Sequence, residues 1–279
     1  MLTRRTIALC VLGAALLYGT PVQAEVPPSG TAAESPNEGA QEQALSEQAT
    51  DKGTNEVTFR PRIQLRYEHR YRRNSTIMDR TILRLDRPLL DGQLYFRVDV
   101  PYTQFDPNQS GETTSRGIGD LYVRAGVLLL DRPHFSLVAG VNAIFPTGNH
   151  EEDLGRGKYQ VGPILAASVP IPTLDIVLFP LIEHSQSVGG DPSTRDVSFT
   201  RFSLKMNMPS MDQWWALFEP RWIVDWTRSN KTALNLEFEV GRKMGEHYRA
   251  WVRPGVGLWG DTVIGSYDWQ LEVGVRYMF

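Results

Sequence analysis

The segment Tyr267-Asp268-Trp269-Gln270-Leu271-Glu272-Val273-Gly274-Val275-Arg276-Tyr277-Met278-Phe279 alternates from one end to the other. Its odd positions are all apolar or aromatic, and its even positions are polar apart from Gly274 and Met278. Successive side chains of a strand point to opposite faces, so this segment has one apolar and one polar face. The same period recurs upstream. Leu234, Leu236, Phe238 and Val240 alternate with Asn235, Glu237, Glu239 and Gly241. Leu121, Val123, Ala125 and Val127 alternate with Asp120, Tyr122, Arg124 and Gly126. Twelve such segments are expected, at about 57–70, 77–87, 93–102, 118–130, 134–146, 158–169, 173–184, 195–207, 213–226, 232–243, 247–259 and 266–279.

The connections alternate as well. Pro88–Gly92, Asp131–Pro133, Pro170–Pro172, Met208–Asp212 and Met244–Glu246 are short, whereas Thr103–Gly117, Thr147–Gly157 and Ser185–Thr194 are long and polar. Up-and-down strands with short turns at one end and long loops at the other describe an all-β fold, the transmembrane antiparallel β-barrel. A soluble sandwich also alternates, but it hides its apolar face. Aromatic placement separates the two. Trp214 and Trp226 share the apolar face of the ninth segment. At about 3.3 Å per residue and about 45° tilt they stand roughly 28 Å apart along the axis. An apolar band of about 25 Å between aromatic girdles predicts that spacing. Tyr267 and Tyr277 are expected to repeat it on the last strand.

Composition narrows the function. The 279 residues carry 29 Lys and Arg, 32 Asp and Glu, and one Cys. A formal charge of −3 excludes a strongly basic nucleic-acid binder. One cysteine excludes an internal disulfide framework. Past residue 24 no apolar run approaches the roughly 20 residues of a spanning helix. Met1–Ala24 places Arg4 and Arg5 before the apolar stretch Ile7–Tyr18 and ends on Ala24, so a cleaved secretory signal peptide is expected at 1–24. Glu25–Glu56 holds seven acids, one base and almost no large apolar residue. It is expected to be a disordered acidic periplasmic lead, with at most a weak helix around Ala40–Ala49. The barrel, residues 57–279, is then expected in the outer membrane.

Phe279, preceded at every second position by Tyr277, Val275 and Val273, resembles the assembly signal of bacterial outer-membrane barrels, which implies the barrel-assembly machinery as a partner. Three further stretches carry a second likeness: Gly117-Ile118-Gly119-Asp120-Leu121, Phe145-Pro146-Thr147-Gly148-Asn149, and Gly155-Arg156-Gly157-Lys158-Tyr159-Gln160-Val161-Gly162-Pro163. Their order resembles a family of outer-membrane barrels labelled as components of meta-pathway phenol degradation and often called transporters. The likeness covers most of 57–279 in layout, and its motifs lie in 117–163. It implies a barrel and the passage of small compounds, aromatic or hydrophobic ones included. Read physically, Gly117 and Gly119 permit a tight entry into a strand, and Pro146-Thr147-Gly148 ends one. His150 with Glu151-Glu152-Asp153 reads either as a solvated external loop or as a cation site bridging lipopolysaccharide; its spacing matches no defined calcium loop.

With apolar faces outward, the lumen is charged. The bases expected inside are Arg60, Arg62, Arg66, Arg84, Arg97, Arg124, Arg201, Lys205, Arg221, Arg249, Arg253 and Arg276. The acids are Glu68, Asp86, Asp99, Asp120, Glu219, Asp225, Glu237, Glu239, Asp268 and Glu272. Residues 57–279 hold 26 bases and 25 acids, so a balanced lining of ion-pair ladders is expected, holding a narrow bore open or nearly closing it. The candidates for a solute path are Arg97, Arg124, Glu219, Arg221, Glu237, Glu239 and Arg253. No zinc, haem, phosphate-loop or dinucleotide pattern occurs, and no cofactor or metal is expected. The hydrolase candidate is Glu183-His184-Ser185 with Ser187. Adjacent strand residues face opposite ways, so His184 and Ser185 cannot form a base–nucleophile pair, and the chain is not expected to be an enzyme. The expected function is passage of small solutes, with outer-membrane lipid and lipopolysaccharide as surroundings. Two alternatives stay open: a non-conducting, partner-binding barrel and a lipid-modifying hydrolase.

Overall fold

A helix, α1 (Pro36–Lys52), precedes thirteen strands. They are β1 (Arg62–Tyr71), β2 (Ile77–Leu89), β3 (Leu94–Asp106), β4 (Ser115–Ile118), β5 (Leu121–Arg132), β6 (Phe135–Phe145) and β7 (Lys158–Ile171). Then come β8 (Ile176–Gly190), β9 (Ser198–Asn207), β10 (Trp214–Asp225), β11 (Lys231–Met244), β12 (Tyr248–Gly260) and β13 (Trp269–Met278). This computed structural model describes residues 36–55, 57, 60–208 and 213–279; the expected signal peptide and residues 25–35 and 56 of the lead lie outside them.

Every pairing is antiparallel, and β13 returns to β1 with Tyr277 opposite Ile63 and Val275 opposite Leu65. β4 and β5 both lie along β3. They are two pieces of one wall strand, so the closed barrel has twelve staves. Closure is a physical necessity for such a wall, because hydrocarbon cannot satisfy an open sheet edge. The apolar face looks outward, as the alternation requires: Trp214 is 45% and Trp226 48% exposed, at opposite ends of β10 and just beyond it. Tyr248, Tyr277 and Phe279 form an aromatic cluster at the short-turn end, with ring centroids 5.2 and 5.1 Å apart.

Three aromatic side chains point inward across glycines on the neighbouring strand. Trp215 stands opposite Gly241, Trp251 opposite Gly274 and Tyr95 opposite Gly126. A Cβ on these glycines would fall 2.0 to 2.2 Å from the ring, so each ring fills the space that a side chain there would need. The indole N–H groups are satisfied: Trp215 donates to Glu239 at 2.7 Å and Trp251 to Glu272 at 2.8 Å.

Several expectations are corrected. Residues 36–52, expected to be disordered with at most a weak helix around Ala40–Ala49, form one helix of 17 residues that contains that stretch. Pro36 sits where a helix lacks N–H partners anyway, and Ala, Gln and Glu dominate the turns after it. Leu45, Ala49 and Lys52 are buried at i, i+4 and i+7, and the first two pack on the inward side chains Val177 and Phe179. The docked face exists only because the lumen supplies its other half. Tyr267 is not a girdle residue. β13 begins at Trp269, so the strand's parity does not reach back to Tyr267, which is 1% exposed and turned inward. Arg60 precedes β1 and lies exposed, and Asp268 precedes β13 and lies half-exposed. Asp120 falls in the break between β4 and β5.

Gly274→Val is expected to destabilise the refolded barrel by about 1–3 kcal/mol through overpacking against Trp251. Urea titration followed by heat-modifiable gel mobility reads this. Gly189→Ala, where a Cβ meets open space, is expected to leave the midpoint unchanged.

Candidate functional site

The seven residues singled out for the lumen all project inside, and five of them touch. Arg221 bonds Glu219 at 2.8 Å and Glu237 at 2.5 Å. Arg253 donates from Nε to Glu239 at 2.8 Å and lies 3.5 Å from Glu237. Tyr267 closes this knot by donating its hydroxyl to Glu237 at 2.8 Å. The acids come from one face of β10 and β11 at alternate positions, and the arginines come from β10 and β12. Glu219, Glu237 and Glu239 are almost wholly buried. A buried carboxylate is tolerable only when paired and hydrogen-bonded, and each of these is.

Arg97 and Arg124 belong to the opposite wall. Arg97 bonds Asp86 at 2.5 Å, and Asp86 also holds Arg62 at 2.6 Å. Arg124 reaches Glu183 at 3.3 Å, where Arg201 arrives at 3.2 Å. Glu68 gathers Arg66, Arg70 and Arg80, and Asp99 gathers Arg66 and Arg84. On this wall each acid serves two or three arginines. The lumen is therefore divided, with glutamates clustered along β10–β13 and arginines along β1–β5 and β9.

These side chains enclose a cavity of about 460 Å³ whose lining runs from Gly53 and Arg62 near the short-turn end to Arg72, Arg156 and Gly265 near the loop end. Among the described residues fourteen Arg and Lys line it against eight Asp and Glu. The expected charge balance holds for the barrel as a whole and fails in the cavity. Acids at the loop tips, such as Glu151, Glu152 and Asp196, lie outside the lining and are exposed.

The three motifs separated in sequence meet at the loop end. Asp120 accepts backbone N–H bonds from Gly148 at 3.2 Å and Arg156 at 2.8 Å. Thr147 donates its hydroxyl to the Gly119 carbonyl at 2.6 Å and accepts the Leu121 N–H at 2.9 Å. This latch folds the segment 146–157 into the mouth, burying Leu154 and bringing Arg156 into the lumen. Gly155 is needed for close approach, since a Cβ there would lie 2.3 Å from the Asp120 carboxylate. Asp120 thus acts as an anchor for a loop, not as a wall charge. Arg156 escaped the period-two reading because it lies in a loop; its flanking glycines were the only local sign.

At the short-turn end the lead crosses the lumen. Asp51 bonds Lys243 at 2.7 Å and Arg249 at 3.1 Å, and these cations hold its carboxyl below the usual range against the effect of burial. The Gly53 carbonyl accepts from Arg62 at 2.5 Å and from Arg276. Gly53 has φ +72°, and a Cβ would press on both guanidiniums. Val57 then packs with Tyr95, Val138 and Ala166.

The hydrolase candidate is not assembled. His184 bonds Thr200 at 3.0 Å and Ser185 donates to Asn142 at 2.9 Å, while Ser187 faces Asp196 at 3.3 Å. His150 pairs with Asp191 at 3.2 Å, and among the described residues no three His, Cys, Asp or Glu side chains converge as a metal site.

A family model described as putative MetA-pathway of phenol degradation matches residues 47–179, which bears out the resemblance carried by the motifs. No curated protein matches the chain. Among solved structures, an outer membrane channel from Pseudomonas putida F1 is similar with a TM-score of 0.64 and 14% identity, covering 81% of this chain and 98% of that one. The NanC porin has a TM-score of 0.54 and 9% identity, covering 78% of this chain and 100% of its own. The KdgM porin has a TM-score of 0.52 and 10% identity, covering 78% and 99%. At these identities the likeness concerns the fold, a closed outer-membrane barrel.

Removing the latch is expected to release the inward loop. Asp120→Ala leaves two backbone donors unpaired, a loss of about 2 kcal/mol, and raises the open population about thirtyfold. Limited trypsin digestion at Arg156 is expected to accelerate correspondingly, while the barrel stays resistant.

Proposed function

We propose that this outer-membrane barrel, matched by the phenol-degradation family over residues 47–179, passes small solutes through its lumen and carries its own plug at the periplasmic end. The observation that supports passage is the polar cavity whose lining extends from Gly53 to Gly265. Twelve staves give a bore wider than an eight-stranded, side-chain-filled barrel and narrower than a porin of sixteen strands, so the solutes are small. The family's description makes aromatic compounds a natural part of the panel. Short turns mark the periplasmic end in such barrels, which assigns α1 and the Gly53 crossing to that side. The plug is held by the Asp51 carboxylate, the backbone carbonyls of Asp51, Lys52 and Gly53 and a narrow apolar stripe, with no strand pairing to the wall among the described residues. The protein acts without catalysis, and its lumen arginines and glutamates, Arg97, Arg124, Glu219, Arg221, Glu237, Glu239 and Arg253, shape the path.

Planar-bilayer conductance tests the reading. Leu45→Glu with Ala49→Glu places two charges against Val177 and Phe179 and is expected to undock the helix. The mature protein should give small discrete steps and the double variant larger ones. Silence from both, in preparations that are demonstrably folded, would overturn passage in favour of a filled, non-conducting barrel. Equal steps from both would overturn the plug.

A further inference from the structure

Four arginines converge on the loop end of the lumen with too few acids to match them. Arg156, carried in by the latched loop, sets its guanidinium 5.7 Å from the centre of the Phe199 ring. Arg201 approaches the same ring at 5.9 Å. Arg80 and Arg72 complete the group from β2 and the turn before it, close enough to act on Arg156 electrostatically. The acids nearby are already shared. Glu183 serves Arg124 and Arg201, Glu68 serves Arg66, Arg70 and Arg80, and Asp120 spends its oxygens on backbone N–H groups. Asp153 is the acid facing Arg72. The hydrogen-bond acceptor of the Arg156 guanidinium is the neutral Gln160 Oε1, at 3.1 Å. Burial pushes the Arg156 guanidinium down to about 10; Asp120 opposes this, and Arg80, Arg201 and Arg72 reinforce it.

Two further features point to a ligand. Arg66 Nη1, on a side chain lining the cavity, and Gln160 Nε2, beside Arg156, are buried donors without an acceptor. A buried donor left unmet is costly, and a bound anion removes that cost. The other side of the same space is apolar. Phe199, Ile223 and Val263 form a buried cluster with Ile264 packed on it, and Leu154 adds its side chain from the inward loop.

Resting on the reading that small solutes enter the lumen, we infer that its loop end is a binding site for a small organic anion. The carboxylate lies among Arg156, Arg80, Arg72 and Arg201, and a short apolar or aromatic body lies against Ile223 and Ile264. An inorganic anion would use only the first half of this site, and a neutral or cationic analogue only the second. The charged half discriminates because a like charge placed among four guanidiniums is repelled at short range in a partly desolvated space.

Isothermal titration calorimetry on the full mature protein, refolded in detergent, tests this with benzoate, benzylammonium, benzyl alcohol and inorganic phosphate. Benzoate is expected to bind most tightly. Arg156→Gln should weaken it at least about tenfold, the loss of one charge-assisted hydrogen bond, with Arg156→Lys falling between. Arg72→Gln, in the turn before β2, is a second variant should the first not fold. Arg132→Gln at the short-turn end should leave binding unchanged. Benzylammonium or phosphate binding as tightly as benzoate would overturn the inference, and so would benzoate binding untouched by both variants. Calorimetry needs no flow, so the two readings fail separately. A silent barrel that binds benzoate keeps the site and loses passage, whereas a conducting barrel indifferent to benzoate keeps passage and loses the site.

Discussion

Hydrocarbon offers no hydrogen-bond partner, and the rest of this molecule depends on that. A strand in the bilayer must pair on both edges, so twelve staves close on themselves and β13 meets β1. Closure leaves one surface for lipid and one for everything polar. The strands therefore send most of their aliphatic and aromatic residues outward and most of their charges into a confined bore. The alternation of Leu234–Gly241 and Tyr267–Phe279 is this constraint written along the chain.

Packing charges into a narrow space carries its own requirement. Taking an ion out of water costs several kcal/mol unless partners compensate, and the lumen answers with ladders in place of isolated pairs. Glu237 alone receives Arg221 and the Tyr267 hydroxyl on one oxygen and Arg253 on the other. Inward tryptophans on cross-strand glycines serve the same end, since their N–H groups satisfy Glu239 and Glu272 while their rings support Arg276, 5.7 Å from the Trp215 centroid and 4.2 Å from that of Trp251. On the acidic wall each glutamate is shared by two or more donors. On the arginine wall the acids are outnumbered, so positive charge is in excess there.

Both ends of the bore are narrowed by chain that belongs to neither wall. The lead enters between the short turns, and the 146–157 loop folds in from the other side. The two devices differ in their fastening. The loop is tied by backbone N–H groups donating to Asp120 and by the Thr147 hydroxyl, which donates to the Gly119 carbonyl. The lead rests on a small apolar stripe and on Asp51 and Gly53, whose partners are the side chains of Lys243, Arg249, Arg62 and Arg276.

The amino-acid sequence alone determined the barrel, its strand number, its outward aromatic belts and the inward set containing Arg97, Arg124, Glu219, Arg221, Glu237, Glu239 and Arg253. These rest on a local rule, since a strand's side chains alternate wherever it runs. The rule ends where the strand ends. Tyr267, Asp268 and Arg60 lie just beyond strand ends, and the parity of β13 and β1 does not reach them. The helix over 36–52 is amphipathic only in company with Val177 and Phe179, more than a hundred residues away. The meeting of Gly119-Asp120 with Thr147-Gly148 and Gly155-Arg156 was invisible for the same reason: backbone N–H groups carry no sequence signal, and only the closed wall brings them to one carboxylate. The balance of charge was legible as a sum, but which charges share a cavity was decided by tertiary structure, because loop tips hold acids in water while strand faces and one folded-in loop hold arginines in the bore.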